Sequence, residues 1–260
     1  MTFTNEERRI LMIPSGWQEP QVVINYIRPI TPMLAHLNRP GDKRPETRAY
    51  VFHGTGNLDH YANAKANGAY FRRPFHPGEY LDAKGYRVKG YIEVGSLGSG
   101  GLGKKFIIAS THCICDRRRV EVTIPYAERA YNCGDRRLPW SEKERGMPPL
   151  AVRLFGARDP VDGKMKPYPN SFTWSLEIAM NDELPNSSVD WDESCMTARW
   201  YAVRVALAHG DDLTKLPILR HHDVTEKECP SPFVGPASEE AAWIRFKAAT
   251  IELYKFFRVV

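Results

Sequence analysis

Apolar residues in this chain of 260 residues occur in short blocks, separated by segments that contain polar residues, glycine or proline. Blocks at 22–27, 49–53, 172–180 and 216–219 have the length of strands and are bounded by turn-forming residues. Such short apolar runs are typical of buried β-strands. The block at 49–53 ends directly at Gly-Thr-Gly, so we expect a buried strand that opens into a loop at that point.

A hairpin and three helices complete the predicted elements. Segment 106–115 is apolar, an Asp-Arg-Arg turn follows, and 120–124 alternates apolar with polar positions, which predicts two paired strands. Good helix formers fill 59–71, and apolar or aromatic residues recur at near-helical spacing within 193–209. A last helix is expected over 239–257.

The order of these elements predicts an α/β fold with one domain. Strands alternate with helices in the second half of the chain and the hairpin lies in the middle, so we expect a central mixed β-sheet flanked by helices. Residues 1–48 are interpreted as a strand and an irregular lead-in, packed on a domain that spans 49–260. Two long loop insertions are expected, at 72–105 and 134–170, because these segments are rich in glycine, proline or charge.

Composition places the chain among ordinary globular proteins, with 42% hydrophobic and 26% charged residues. The formal net charge of +5 favours an anionic partner such as nucleic acid, a membrane surface or an acidic wall polymer, although a solvated basic surface explains it equally well. No apolar run reaches the roughly 18 residues of a membrane span, and the N-terminus lacks the apolar core of a signal peptide, which predicts synthesis in the cytosol. Five thinly spread cysteines indicate reduced thiols rather than a disulfide scaffold.

Three residues are candidate metal ligands. His53 lies where a predicted buried strand meets its loop, so the sheet would fix the side chain and leave it accessible. His221 and Cys229 are eight residues apart across a polar turn. Imidazole nitrogen and thiolate sulfur both suit zinc, and three protein ligands would leave a fourth tetrahedral position open, as in catalytic sites. Taken alone, His53 is better explained as a hydrogen-bonded core residue, and a His-x7-Cys pair is less diagnostic than paired CxxC motifs.

The segment LRHHDVTEKECPSPF at 219–233 resembles the C-terminal zinc segment of the type-2 N-acetylmuramoyl-L-alanine amidases, phage lysozyme-like amidases related to peptidoglycan-recognition proteins. AYVFHGTGN at 49–57 is similar to the family's first-ligand region, and 110–125 resembles its central hairpin. NSFTWSLEIAMN at 170–181 resembles its glutamate-bearing strand. These similarities occur in chain order and span most of 39–247, which makes the set more specific than any single one.

The resemblance implies a catalytic zinc ion held by His53, His221 and Cys229. The first histidine of the 221–222 pair fits the family's spacing to the cysteine, so His222 is expected to pack beside the site or to support a ligand. Because His53 ends one predicted strand and His221 follows another, the zinc site is expected at one end of the sheet.

Two further residues match positions that are catalytic in the family. Glu177 corresponds to an acid/base glutamate, which would take a proton from the attacking water and deliver it to the leaving amine. Lys227 corresponds to a lysine that would stabilise the negative charge on the tetrahedral oxygen. The simpler alternatives are an ion-paired glutamate on a strand edge and an exposed loop lysine. Some phage members use a tyrosine where this chain has Thr111, which favours Glu177 over a tyrosine-based scheme.

The resemblance implies a hydrolase that cleaves the amide between N-acetylmuramic acid and L-alanine in bacterial peptidoglycan, in a phage or prophage endolysin that acts on the wall after release or export. Alternatives are a peptidoglycan-binding module without catalysis, which typically lacks the zinc cysteine, and a zinc amidase acting on soluble muropeptides. The expected partner is peptidoglycan and not nucleic acid, and the sequence does not indicate an oligomeric state. No separate wall-binding module is expected, and the loops at 72–105 and 134–170 would shape the groove for glycan or stem peptide.

Overall fold

A computed structural model of the protein describes residues 3–27, 39, 41–56, 62–73, 75–82, 84–93, 97–98, 100–104, 109–133, 149–158, 165–180 and 188–259. The strands within these ranges are β1 (Gln21–Ile24), β2 (Ala49–Gly54), β3 (Phe75–Leu81), β4 (Arg87–Glu93), β5 (Cys113–Cys115), β6 (Arg119–Val122), β7 (Gly156–Arg158), β8 (Met165–Pro167), β9 (Thr173–Ile178) and β10 (Ile218–Arg220). The helices are α1 (Asn5–Ile10), α2 (Ala64–Phe71), α3 (Pro149–Phe155), α4 (Pro169–Phe172), α5 (Ser188–His209), α6 (His221–Thr225) and α7 (Ala237–Val259). None of these described helices is long and apolar enough to cross a membrane.

Six of the strands form one mixed sheet in the order β1-β6-β5-β9-β2-β10. Every neighbouring pair in it is parallel except β5 and β6, which form the predicted hairpin. Side chains of the long helices α5 and α7 pack with those of β2, β5 and β9 in one apolar cluster. The prediction of an α/β domain with a central mixed sheet flanked by helices is therefore confirmed.

Strand β2 lies inside the sheet and is buried on both faces. Tyr50 and Phe52 join the cluster with α5 and α7, whereas Ala49 and Val51 pack on the other face with residues of α3 and α4. Successive side chains of a strand point to opposite faces, so His53 lies on the same face as Val51. Burial on both faces explains why this strand is a continuous apolar run rather than an alternating one.

The N-terminal segment contributes to the same core. Helix α1 begins with a capping box, in which Thr4 and Glu7 each accept a hydrogen bond from the other's backbone N–H. Phe3, Leu11 and Trp17 lie in the apolar cluster that contains α5 and α7. Strand β1 pairs with β6 and extends the sheet at that edge.

The prediction of a loop over 72–105 is wrong for much of the described part, because β3 and β4 form an antiparallel hairpin there. The hairpin was not predicted because its strands contain glycines, which are uncommon in strands. Gly78 and Gly90 are register partners across the hairpin. A Cβ at Gly78 would lie 2.5 Å from Ile92 Cδ1, and one at Gly90 would lie 2.8 Å from Tyr80 Cε1. Glycine therefore makes room for large side chains on the neighbouring strand, at the expense of the usual strand signal.

The second predicted loop, at 134–170, also contains regular structure. Helix α3, the hairpin of β7 and β8, and α4 occupy its described part, whereas residues 134–148 and 159–164 lie outside the described residues. Some predicted ends shift as well. Helix α5 starts five residues earlier than expected, at Ser188. Strand β5 comprises only the last three residues of the strand predicted over 106–115. Residues 106–108 of that prediction lie outside the described residues.

Candidate metal centre

Three side chains from separate parts of the chain meet at one buried point. His53, His221 and Cys229 each offer one ligand atom, and these atoms all lie within 4.8 Å of one another. His53 lies at the end of β2, His221 begins α6 directly after β10, and Cys229 lies in the loop after α6. The centroids of the two imidazole rings are 4.6 Å apart. The structure thus brings together the three predicted ligands at the carboxyl ends of two neighbouring parallel strands.

The chain between His221 and Cys229 folds back on itself, which explains how residues eight apart reach one point. Helix α6 ends at Thr225 and is capped by Glu226, which has a left-handed conformation (φ 62°) and whose N–H donates to His222 O at 2.8 Å. The N–H of His222 donates in turn to Cys229 O at 2.9 Å. These two bonds bring Cys229 beside the start of the helix.

Arg220 anchors this loop to the rest of the domain. Its side chain is 7% exposed and forms ion pairs with Asp223 at 2.8 Å and with Glu240 of α7 at 2.5 Å. Its guanidinium also donates to Phe233 O, beyond the loop. Because Arg220 directly precedes His221, these contacts hold together the two ends of the segment that carries two of the candidate ligands.

The donor atoms of the cluster fit a divalent metal ion. Burial lowers the pKa of His53 well below its ordinary value and lowers the pKa of His221 to about 3, so both imidazoles are neutral. Nδ1 of His221 is buried and has no hydrogen-bond partner among the described residues. Sγ of Cys229 lies 4.0 Å from His53 Nδ1 and accepts a hydrogen bond from the Gly54 N–H at 3.4 Å, which suits a thiolate. Burial raises the pKa of this thiol to about 12, so a metal ion must displace its proton on binding.

Glu177 faces the cluster from β9, where it is the register partner of His53. Its Oε1 lies 3.9 Å from His53 Nδ1, and its Oε2 is buried without a hydrogen-bond partner among the described residues. Burial raises the pKa of this carboxyl to about 8, against the opposing effect of the Lys227 charge. Strand β9 lies between β5 and β2, so the alternative of a glutamate on a strand edge is wrong.

Lys227 is exposed in the loop between α6 and Cys229. Its positive charge lowers the pKa of His221 further and opposes the rise in the pKa of Glu177. In both cases burial has the larger effect. The ammonium group is therefore close enough to act electrostatically on the cluster while it remains accessible to solvent.

Thr111, which stands where some members of the family that the sequence resembles have a tyrosine, belongs to the structural core. Its buried hydroxyl donates to Ser175 O at 3.2 Å and lies 3.1 Å from Ser175 Oγ. These contacts within the sheet occupy the hydroxyl. Of the two positions considered for acid/base chemistry, Glu177 is thus the one that places a titratable group beside the cluster.

Sequence reasoning missed Cys133, which is fully buried beside His53. Its Sγ lies 3.8 Å from His53 Nε2, whereas Nδ1 of the same ring faces Cys229. A contact on the second nitrogen orients an imidazole whose first nitrogen binds a metal. Cys133 and His53 are 80 positions apart in the chain, so no sequence motif predicts their contact.

No family model and no curated protein matches this sequence. Solved structures match the fold. The catalytic domain of XlyA gives a TM-score of 0.52 at 16% identity, over 88% of this chain and 99% of that chain. A mutant endolysin from Bacillus subtilis gives 0.52 at 16% identity, over 89% and 99% of the two chains, and the PlyG catalytic domain gives 0.51 at 13% identity, over 90% and 95%. The chain shares its fold with these proteins, which confirms the fold that the sequence resemblance implied.

Replacing Arg220 with Met is expected to lower the free energy of unfolding by about 2–4 kcal/mol, because Asp223 and the Phe233 carbonyl lose a buried charged partner. Urea unfolding followed by tryptophan fluorescence measures the change. Arg9→Met is the matched control, since Arg9 pairs with Glu6 at an exposed site, and it should leave stability unchanged within error. Equal effects of the two substitutions would contradict the anchoring role of Arg220.

Proposed function

We propose that this protein is a zinc-dependent amidase that hydrolyses the bond between N-acetylmuramic acid and L-alanine in bacterial peptidoglycan. The observation that carries the proposal is the buried cluster of His53, His221 and Cys229 with the Glu177 carboxyl beside it. Further support comes from the sequence motifs and from a fold shared with a solved endolysin. The biological setting that we infer is a phage or prophage endolysin, whose partner is the cell wall.

His53, His221 and Cys229 would hold the zinc ion through two imidazole nitrogens and one sulfur. When bound, zinc supplies Lewis-acid chemistry, which lowers the pKa of water and polarises a carbonyl group. Cys133 acts on His53 from the other side of the ring and keeps Nδ1 directed towards Cys229. The Gly54 N–H donates to the cysteine sulfur and stabilises its anionic form.

Glu177 is the proposed general acid and base. Its buried Oε2 has no partner among the described residues, so in the ionised form of the carboxyl this oxygen can accept a proton from the attacking water. The same oxygen then delivers the proton to the nitrogen of the leaving L-alanine. Pairing of β2 with β9 holds the carboxyl opposite His53, so the group keeps its position between the two proton transfers.

Lys227 is the proposed electrostatic partner of the scissile carbonyl oxygen. Negative charge develops on that oxygen as the tetrahedral intermediate forms, and a nearby ammonium group stabilises it. The lysine is exposed, so a polymeric substrate that approaches from solvent can reach it. Its charge already acts on the pKa values of Glu177 and His221, which supports this role.

Metal analysis of purified variants tests the ligand assignment. The wild-type protein is expected to carry about one zinc ion per chain, as a three-ligand catalytic site does, and His221→Ala and Cys229→Ala should lose most of it. His222→Ala is the matched control, because His222 is the next residue but places its Nδ1 3.2 Å from Lys227 O. Full zinc content in Cys229→Ala, or its loss in His222→Ala, would show that the ligands are assigned wrongly.

Peptide release from purified sacculi tests the proposed reaction. Glu177→Gln preserves the shape of the side chain but removes the proton acceptor, so the rate should fall by about 10²–10⁴-fold with zinc content unchanged. Lys227→Met should reduce the rate by about 10²-fold or more. Glu228→Gln, which changes an exposed glutamate of the same loop, should retain the wild-type rate. Full activity of Glu177→Gln would overturn the mechanism.

The products distinguish the proposed bond and substrate from their alternatives. Cleavage at the lactyl amide releases new N-terminal L-alanine and no new reducing sugar ends. New reducing ends would instead indicate a glycosidase. Hydrolysis of soluble muropeptides without any release of peptide from sacculi would show that the substrate is the soluble fragment and not the wall polymer. Binding to sacculi without hydrolysis would indicate a recognition module.

A further inference from the structure

A cavity of about 580 Å³ lies on the sheet face opposite the metal centre. Helices α5 and α7 and the N-terminal segment line it, and Phe246 of α7 forms part of its wall. The ring of Phe246 packs against Phe52 with centroids 5.0 Å apart. Because Phe52 and His53 are successive residues of β2, their side chains point to opposite faces, and the cavity is separate from the metal cluster. Its volume lies within the usual range for small-molecule sites, about 300–1,000 Å³.

Aromatic side chains supply much of the apolar wall. Trp191 and Phe233 lie with ring centroids 5.4 Å apart, and Phe233 and Phe246 with centroids 5.2 Å apart. Their mutual packing holds the rings in place without a ligand. A preformed aromatic wall suits a flat or branched apolar group of similar size.

One wall of the cavity carries a buried cation whose hydrogen-bond acceptors, within the described part of the chain, are uncharged. Arg199 is 4% exposed, and its guanidinium donates to Leu11 O at 3.0 Å and to Met12 O at 2.7 Å. Its Nε is buried and has no hydrogen-bond partner among the described residues. Carbonyl oxygens satisfy N–H groups but do not neutralise a charge, so a buried guanidinium of this kind favours an anion beside it.

The other charged groups of the lining do not cancel this preference. Arg245 adds a second guanidinium, and Asp192 adds a single carboxylate. The single negative charge of Asp192 offsets only one of the two positive charges. The lining therefore keeps an excess of positive charge next to its aromatic wall.

We propose that this cavity is a binding site for a small organic carboxylate with an apolar body about the size of one ring. The carboxylate would lie beside the Arg199 and Arg245 guanidinium groups that line the cavity, and the apolar body would lie against Trp191, Phe233 and Phe246. This site is independent of the proposed hydrolysis, because it lies on the other face of the sheet.

Calorimetric titration of the purified protein with phenylacetate tests the proposal, and tryptophan fluorescence gives a second readout of binding, because Trp191 lines the cavity. We expect saturable binding at one site with a Kd of about 1 mM or below. Phenylacetamide has nearly the same shape without the charge, and it should bind at least about tenfold more weakly. Failure of phenylacetate to bind, or equal binding of the two compounds, would overturn the proposal.

Substitutions on α7 locate the site. Ala242 lines the cavity, so Ala242→Phe should fill it and abolish binding of phenylacetate, and Ala242→Leu should do so in part. Ile244→Phe is the matched control on the same helix, because Ile244 is 59% exposed to solvent, and it should bind like the wild-type protein. Arg199 itself is left unchanged, since it also holds the N-terminal segment. Wild-type affinity in a folded Ala242→Phe variant would show that the carboxylate binds elsewhere.

Discussion

Parallel pairing of β2 with β9 and β10 is the constraint on which the candidate site depends. The pairing sets His53 directly opposite Glu177, and it sets Arg220 beside Phe52, so that His221 emerges next to His53. Burial of β2 on both faces fixes this register. A slip of one residue would turn His53 into the aromatic core under α5 and α7 and would bring Phe52 to the metal-facing side, at a large cost in packing and desolvation.

The same burial leaves polar atoms of the candidate centre unpaired and reduces its intrinsic stability. His221 Nδ1 and Glu177 Oε2 are both buried without hydrogen-bond partners among the described residues, and each such atom typically costs about 1–3 kcal/mol. Polar groups are kept in this state where a ligand or a substrate will use them. The ion pairs of Arg220 and the aromatic core beneath the sheet offset this cost, because they hold the loop that carries His221 and Cys229 against the domain.

Features that depend on neighbouring residues in the chain could be predicted from the sequence, whereas contacts between distant segments could not. The position of His53 near the end of β2 followed from a local pattern, an apolar block that stops at a glycine-containing turn. The meeting of His53 with His221 and Cys229 did not follow from any pattern in one segment, because strand order is non-local. Their ligand chemistry made them candidates, and the resemblance to a family supported the set.

Other features carried no usable signal. The hairpin of β3 and β4 was missed because Gly78 and Gly90 replace the branched residues that mark most strands. Cys133 contacts His53 from 80 positions away in the chain, and Arg199 contacts Leu11 from 188 positions away, so no local pattern predicts either contact. Local propensity locates strands and helices, whereas the environment of one side chain is decided by tertiary packing.

The central claim is that two histidines and one cysteine bind a single zinc ion at the ends of β2 and β10. X-ray absorption at the zinc edge of the purified protein tests it most directly, because the spectrum identifies the atoms around the metal. We predict one sulfur scatterer together with the multiple-scattering pattern of two imidazole rings. A spectrum with no sulfur, with several sulfurs, or with zinc bound only by oxygen would contradict the site formed by His53, His221 and Cys229.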